Sequence, residues 1–131
     1  MMEDGYKYSE ITGKIIGCST AVHSAIGNGF PEIIYQRALK IEFEEREIQF
    51  VSEYSQPIFY KSKNIGSRRV DFLVEDKIPV EIKATTILEP HHISQALNYL
   101  EAYNLEIGLL INFGEASLKF KRLINKKYKS E

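Results

Sequence analysis

Arg69-Val-Asp-Phe-Leu-Val-Glu-Asp-Lys-Ile-Pro-Val-Glu-Ile-Lys83 consists of two short apolar runs around a polar turn, and its reading decides both fold and chemistry. If each run is a β-strand, alternation puts Val70, Phe72, Val74, Val80 and Ile82 on one face and leaves Asp71, Glu81 and Lys83 on the other. A hairpin centred on Asp76 sets Asp71 directly opposite Glu81. A two-residue Asp76-Lys77 turn pairs Asp71 with Ile82 instead and brings Glu81 and Lys83 in only diagonally. In the first register two like charges oppose each other with Cβ atoms roughly 4.5–5.5 Å apart, which is destabilising unless something compensates. A divalent cation with oxygen ligands would do so, with Lys83 beside it as a positive charge that could orient a water or a phosphate oxygen. The bland alternative is that all three side chains line the solvent face of a half-exposed hairpin.

Around this stretch, 131 residues are expected to form one domain, 1–131, with enough chain to bury a core without staples. An apolar fraction of 44% against 27% charged residues matches a globular domain rather than a disordered or fibrous one. No run approaches the roughly 18–20 apolar residues of a membrane span. Met1-Met-Glu-Asp-Gly-Tyr6 lacks a basic segment followed by an apolar one, so a cytoplasmic location without membrane contact is expected. The single cysteine, Cys18, cannot form an intramolecular disulfide and lies on an apolar helical stripe, which reads as a core residue before a reactive thiol. A net charge of −1 gives no global basic field, yet charge is unevenly spread. Glu42, Glu44, Glu45 and Glu47 crowd together; Lys119, Lys121, Arg122, Lys126, Lys127 and Lys129 face only Glu131 at the C-terminal end; Lys61, Lys63, Arg68 and Arg69 precede Asp71. Such runs either track a phosphate backbone or are solvated faces.

The chain shows no repeat, low-complexity segment or linker. A first helix is expected from Glu10 to Ile26, with Ser9 as N-cap, a stripe of Ile11, Ile15, Cys18, Val22, Ala25 and Ile26, and Gly27-Asn28-Gly29 as the stop. A second begins at Pro31 and runs to Glu45, burying Ile34, Ala38 and Ile41. The period then turns strand-like over Ile48–Tyr54, Ile58–Tyr60, Arg68–Val74 and Ile78–Lys83, with Lys63-Asn64-Ile65-Gly66 read as a turn. Glu89-Pro90 opens a third helix from His91 to Tyr103, with Ile93, Ala96, Leu97 and Leu100 apolar. A buried strand, Gly108–Phe113, and an edge strand, Leu118–Leu123, come after it. The helix between Lys83 and Ile107 would make a crossover, adding a parallel strand to a mixed sheet.

Asp71 followed by Glu81-Ile82-Lys83 at a hairpin end, ahead of a helix, resembles the PD-(D/E)XK nuclease superfamily. Gly29-Phe-Pro-Glu32-Ile-Ile-Tyr35 matches the GxxExxY signature of one small family, and Gln36-Arg37-Ala38-Leu39 continues it. Gln95-Ala-Leu-Asn-Tyr99 is similar to the QxxxY element of the RecB-like branch, and Gly108–Gly114 looks like the same small family. Together these cover roughly residues 10 to 123. One departure is Val70, which stands where the superfamily's name has Pro. The resemblance implies a mixed α/β fold, a restriction-endonuclease-like αβββαβ core with an extra N-terminal helix and a C-terminal edge strand.

It further implies that Asp71, Glu81 and the Ile82 backbone carbonyl bind Mg²⁺, with Mn²⁺ able to substitute, and that Lys83 holds or helps deprotonate the attacking water. Glu32 is either a carboxylate favoured by its helix N-terminus or a further ligand, direct or through water. Tyr35 would orient Glu32, stack or pack, and Gln95 would contact a phosphate or the nucleophilic water. Tyr35, Arg68, Arg69, Tyr99, Lys119 and Lys121 are the candidate nucleic-acid contacts. His91 and His92 adjoin the cleft but diverge on a helix, which argues against joint ligation; His23 reads as a structural, hydrogen-bonded residue. The partner implied is nucleic acid, DNA before RNA, with a homodimer in view if both strands of a duplex are cut. The competing classes are a nuclease-fold binding module for nucleic acid or protein, with little or no hydrolysis, and a structural assembly domain.

Overall fold

Tyr35, Leu39 and Phe43 recur at four-residue spacing on one helix and are fully buried, and the architecture is built outward from that row. The computed structural model describes residues 8–130. Residues 1–7 and 131 of the expected 1–131 domain, with the Met1–Tyr6 segment and Glu131, lie outside the described residues. Two helices, α1 (Ser9–Ile26) and α2 (Glu32–Glu45), precede strands β1 (Phe50–Tyr60), β2 (Lys63–Val74) and β3 (Ile78–Lys83). Helix α3 (Pro90–Ala102) and strands β4 (Ile107–Asn112) and β5 (Lys119–Ile124) complete the order.

The strands form one five-stranded sheet in sequence order, antiparallel throughout except for the parallel β3–β4 pair that the α3 crossover creates. This is the mixed α/β fold expected of a restriction-endonuclease-like core. On one face Ile15, Cys18 and Val22 of α1 join Tyr35, Leu39 and Phe43 of α2 over Phe72, Val80, Ile82 and Ile111. On the other, Ala96 and Leu100 of α3 cover Leu110 and Leu123. Cys18 is a buried free thiol, raised above its ordinary value by that burial. No helix among the described residues is long and apolar enough to cross a membrane.

Several boundaries move. Ser9 is helical rather than a cap, and Pro31 is the N-cap of α2 rather than its first turn. The buried stripe of α2 is Tyr35, Gln36, Leu39 and Phe43, so Ile41 is exposed. Aromatic bulk decides this: Phe43 packs against Phe50 and Phe72 with ring centroids 5.4 and 5.1 Å away. The two strands expected over 48–60 are one, because β1 is an edge strand and tolerates Pro57. Lys63–Gly66 is not a turn but the start of β2. The reversal is Lys61-Ser62, both left-handed (φ 49° and 65°), a two-residue hairpin turn of the primed kind. Pairing slips at Ile58/Phe59, where Ile65 is the extra residue.

The decisive turn is Glu75-Asp76-Lys77. Glu75 and Asp76 are left-handed (φ 56° and 58°), and Val74 pairs with Ile78, Leu73 with Pro79 and Phe72 with Val80. That register is the one centred on Asp76, and it carries Asp71 to the level of Glu81. The two-residue turn does not occur.

At the far end of β3 the chain is tied down. Lys83 accepts the Phe113 amide at 2.8 Å, and the fully buried Asn112 accepts the Thr85 and Gly114 amides at 3.0 Å while donating to the Thr85 carbonyl at 3.0 Å. A side chain at Gly114 would collide with the Thr85 backbone. Gly114→Ala should therefore cost about 2 kcal/mol or more from the clash, and Asn112→Ala about 2–3 kcal/mol from orphaned backbone groups. Urea unfolding reads both, with exposed Ile87→Ala expected to stay within about 0.5 kcal/mol.

Candidate active site

Asp71 is nearly buried near the end of β2, and its surroundings explain how a carboxylate survives there. Ser52 and Tyr54 of β1 pair with Phe72 and Val70, but Glu53 between them takes a left-handed φ of 52°. The ladder is distorted at the level of Asp71, a local strain of the kind that gathers at functional sites. On the other side, Asp71 Oδ2 accepts the Ile82 amide at 2.7 Å. The carboxylate thus takes a backbone donor of β3 and ties the hairpin at that level.

Asp71 and Glu81 are hydrogen-bonded to each other through their side chains, so one of them must carry a proton. Burial pushes Glu81 up to about 8, with the Asp71 charge next in importance; Lys83 and Arg68 pull the other way. Burial also raises Asp71, against the Ile82 amide, Arg69 and Lys83. The pair therefore shares a proton, their mutual hydrogen bond raising Glu81 and lowering Asp71. Glu32, in the first turn of α2, is an exposed residue overall, yet its carboxyl is raised by partial burial and then by Asp71, while Lys83 and Arg69 oppose the shift. Electrostatically it belongs to the same site.

Glu81 opens into a cleft of about 470 Å³ lined by Arg68, Arg69, Lys83, His92 and Gln95, over Ala96 and Leu110. Its floor comes from β3 and β4 and one wall from α3. Gln95 points there as expected, and its carbonyl also accepts from the Arg68 guanidinium, which in addition donates to Asn98 Oδ1 at 2.7 Å. Arg69 pairs with Glu53 at 2.7 Å, with both side chains more than half exposed. The register rows Glu81–Leu110–Lys121 and Lys83–Asn112–Lys119 put Lys121 and Lys119 on the same sheet face as the cleft, two strands away, about 10 Å between Cα atoms.

Two expected nucleic-acid contacts are corrected. Tyr35 is fully buried: its ring stacks on Phe113 with centroids 4.8 Å apart, and its hydroxyl donates to the Gly27 carbonyl at 2.6 Å and accepts the Phe30 amide. It packs and closes the loop before α2. Tyr99 is also buried, its hydroxyl donating to Gln56 Oε1 at 2.9 Å and raised by that burial, with the Arg68 guanidinium 5.5 Å above its ring. It holds Arg68 rather than a base.

His92 carries more than its sequence position suggested. Its Nδ1 accepts the Glu89 amide at 3.0 Å, half of a capping box at the start of α3. A neutral ring with Nδ1 accepting keeps its proton on Nε2. Desolvation, His91 and Lys83 hold His92 below the ordinary imidazole value, which favours that neutral form. The signal available was Glu89-Pro90 followed by a histidine at the third helical position. His23, as expected, is structural, bonded at 2.9 Å to the Glu115 carbonyl.

Among the described residues no group of three His, Cys, Asp or Glu converges on one point. What does converge is a pair of oxygen donors forced into contact and both disfavoured as anions, which suits a hard divalent cation that keeps several waters. Asp71 and Glu81 fit that group.

A family model described as the PD-(D/E)XK nuclease superfamily matches residues 9–123. No curated protein matches the chain. Among solved structures it is similar to the crystal structure of SSO0001, with a TM-score of 0.55 and 19% identity over 70% of this chain and 48% of that one. The chain thus spans about half the length of that structure, and the likeness is one of fold.

The shared proton has two measurable consequences. Because Glu81 titrates near 8 when folded and in the ordinary carboxylate range when unfolded, the folded state binds the extra proton between those values, and stability falls as pH rises through that window. Glu81→Gln removes the effect: it should melt with wild type near about pH 4 and roughly 5 °C or more above it near about pH 9. Calorimetric titration of Mn²⁺ in buffers of differing ionisation enthalpy should show about one proton released near neutrality and none above about pH 9.

Proposed function

Because the chain belongs to the PD-(D/E)XK nuclease superfamily, we propose that it hydrolyses phosphodiester bonds of nucleic acid, DNA in preference to RNA, at the Asp71/Glu81/Lys83 site. The observation that carries this reading is the carboxyl pair in contact, with Asp71 buried and Glu81 opening into a cleft lined by Arg68, Arg69 and Lys83. A pure binding surface gains nothing from two carboxyls in contact beneath three cations. We also assign the chain to the GxxExxY family and the RecB-like branch, on Gly29–Tyr35 and Gln95–Tyr99, as a single domain working in the cytoplasm.

Asp71 and Glu81, with the Ile82 carbonyl and Glu32 through water, would hold Mg²⁺ or Mn²⁺. When bound, that ion lowers the pKa of a water and neutralises charge on the scissile phosphate. The chain's own residues supply the rest. Lys83 holds the attacking water in line with the phosphorus. Arg69 and Arg68 take non-bridging phosphate oxygens, where a guanidinium can bond bidentately. Gln95 bonds the water or the phosphate from the α3 wall, and His92 Nε2–H is a neutral donor at the same wall. Lys119 and Lys121 extend positive potential along the sheet face, where they would steer the backbone. Cutting both strands of a duplex would call for a homodimer.

The test is incubation of the protein with single-stranded DNA, duplex DNA and RNA in Mg²⁺, Mn²⁺ or EDTA, beside Asp71→Ala and Lys83→Ala. Cleavage that needs metal and drops at least about 100-fold in both variants is the expected result. Absence of cleavage with either metal, together with no Mn²⁺ binding by calorimetry, would leave only the binding module.

A further inference from the structure

Between Glu53 and Asp71 the chain carries Lys61, Lys63, Arg68 and Arg69 and no acidic residue, although the net charge of the whole is −1. Folded, this stretch is the outer part of the β1–β2 hairpin, with Lys61 and Lys63 at its turn and Arg68 and Arg69 at the cleft. Phe59 and Tyr60 there are each 62% exposed and Ile65 64%, while Lys61 Nζ lies 5.5 Å from the Tyr60 ring centroid. Exposed aromatic rings interleaved with lysines serve no purpose in the core, which is complete without them.

A groove of about 630 Å³ runs between this hairpin and α3, with Pro57, Ile58 and Phe59 on one side and Ala102 and Tyr103 on the other. Arg68 lines both this groove and the catalytic cleft. Its guanidinium is held at the junction by Asn98, the Gln95 carbonyl and the Tyr99 ring. Groove and cleft therefore adjoin at Arg68, with an aromatic residue, Phe59, at the outer end of the groove.

We propose that the β1–β2 hairpin end and its groove bind a single-stranded nucleic acid, whose phosphates pass Arg68 toward the cleft while an unpaired base stacks on Phe59. This deepens, and rests on, the nucleic-acid reading of the cleft. The chemistry selects the occupant. A charge-tracking groove with stacking platforms matches an unpaired strand, every base of which offers a π-face. A duplex keeps those faces inside its stack. A second copy of the chain is disfavoured because a two-fold contact here would set the same four cations against themselves.

The experiment is fluorescence anisotropy in EDTA with a labelled oligothymidylate of about twelve nucleotides, an abasic oligomer of equal length and a blunt duplex. The proteins are wild type, Asp71→Ala, Phe59→Ala/Tyr60→Ala and Lys61→Gln/Lys63→Gln, with sedimentation of each in parallel. Wild type and Asp71→Ala are expected to prefer the oligothymidylate over the abasic strand by about tenfold or more. Phe59→Ala/Tyr60→Ala should abolish that preference without changing the salt slope, and Lys61→Gln/Lys63→Gln should flatten the slope by about one to two. Three results would overturn the proposal: no binding of the oligothymidylate by wild type, binding indifferent to both double variants, or a wild-type dimer that Phe59→Ala/Tyr60→Ala makes monomeric. In Mn²⁺ the two readings separate. Cleavage that persists unchanged in the hairpin variants sinks the strand path alone, whereas hairpin-dependent binding without cleavage sinks the hydrolytic reading alone.

Discussion

Two carboxyls pressed together inside a sheet are the constraint around which the rest of the molecule is arranged. The three-residue turn at Glu75–Lys77 delivers Asp71 to the level of Glu81, and partial burial thins the water that would otherwise screen their repulsion. One proton, one backbone amide and the cations Arg68, Arg69 and Lys83 then hold the pair. The arrangement costs stability in the fold, which is a usual relation between active sites and stability. The aromatic packing of Phe43, Phe50 and Phe72 lies on the opposite face and supplies rigidity where no charge is buried.

Cations of the site are not equivalent. Arg68 is held on three sides by α3, while Arg69 shares an exposed pair with Glu53 that is worth little. Lys83 sits on a strand whose end is clamped by Asn112 and the Phe113 amide. The cleft thus carries a fixed guanidinium, an exposed one and an ammonium on a clamped strand.

The three helices, the parallel crossover and the shared face of Asp71 and Glu81 were legible because alternation around Asp71 and the periodic stripe of α1 are local patterns, whereas the sequence left two registers open and split β1 in two. The features that were not legible depend on neighbours far away in the chain. Pro57 looked like a break because nothing local says that its strand lies at the sheet edge. Ile41 looked buried because its spacing suits a helix, but the aromatic partners of Phe43 come from β1 and β2 and rotate the helix toward them. Tyr35 and Tyr99 stand in motifs that suggest exposure to a ligand. Their burial is imposed by Phe113 and Gln56, which no spacing rule connects to them. Glu53's distortion beside Asp71 and the double duty of Arg68 likewise exist only in three dimensions.

An edge strand of eleven residues with exposed Val51, Ile58 and Phe59 would ordinarily invite a stranger's backbone to continue the sheet. Pro57 near its middle interrupts the row of amides that such an intruder would need, and the slip beside Ile58 twists the outer end of the hairpin out of plane. A long apolar margin is thus left with a backbone edge that offers a neighbouring strand no unbroken ladder.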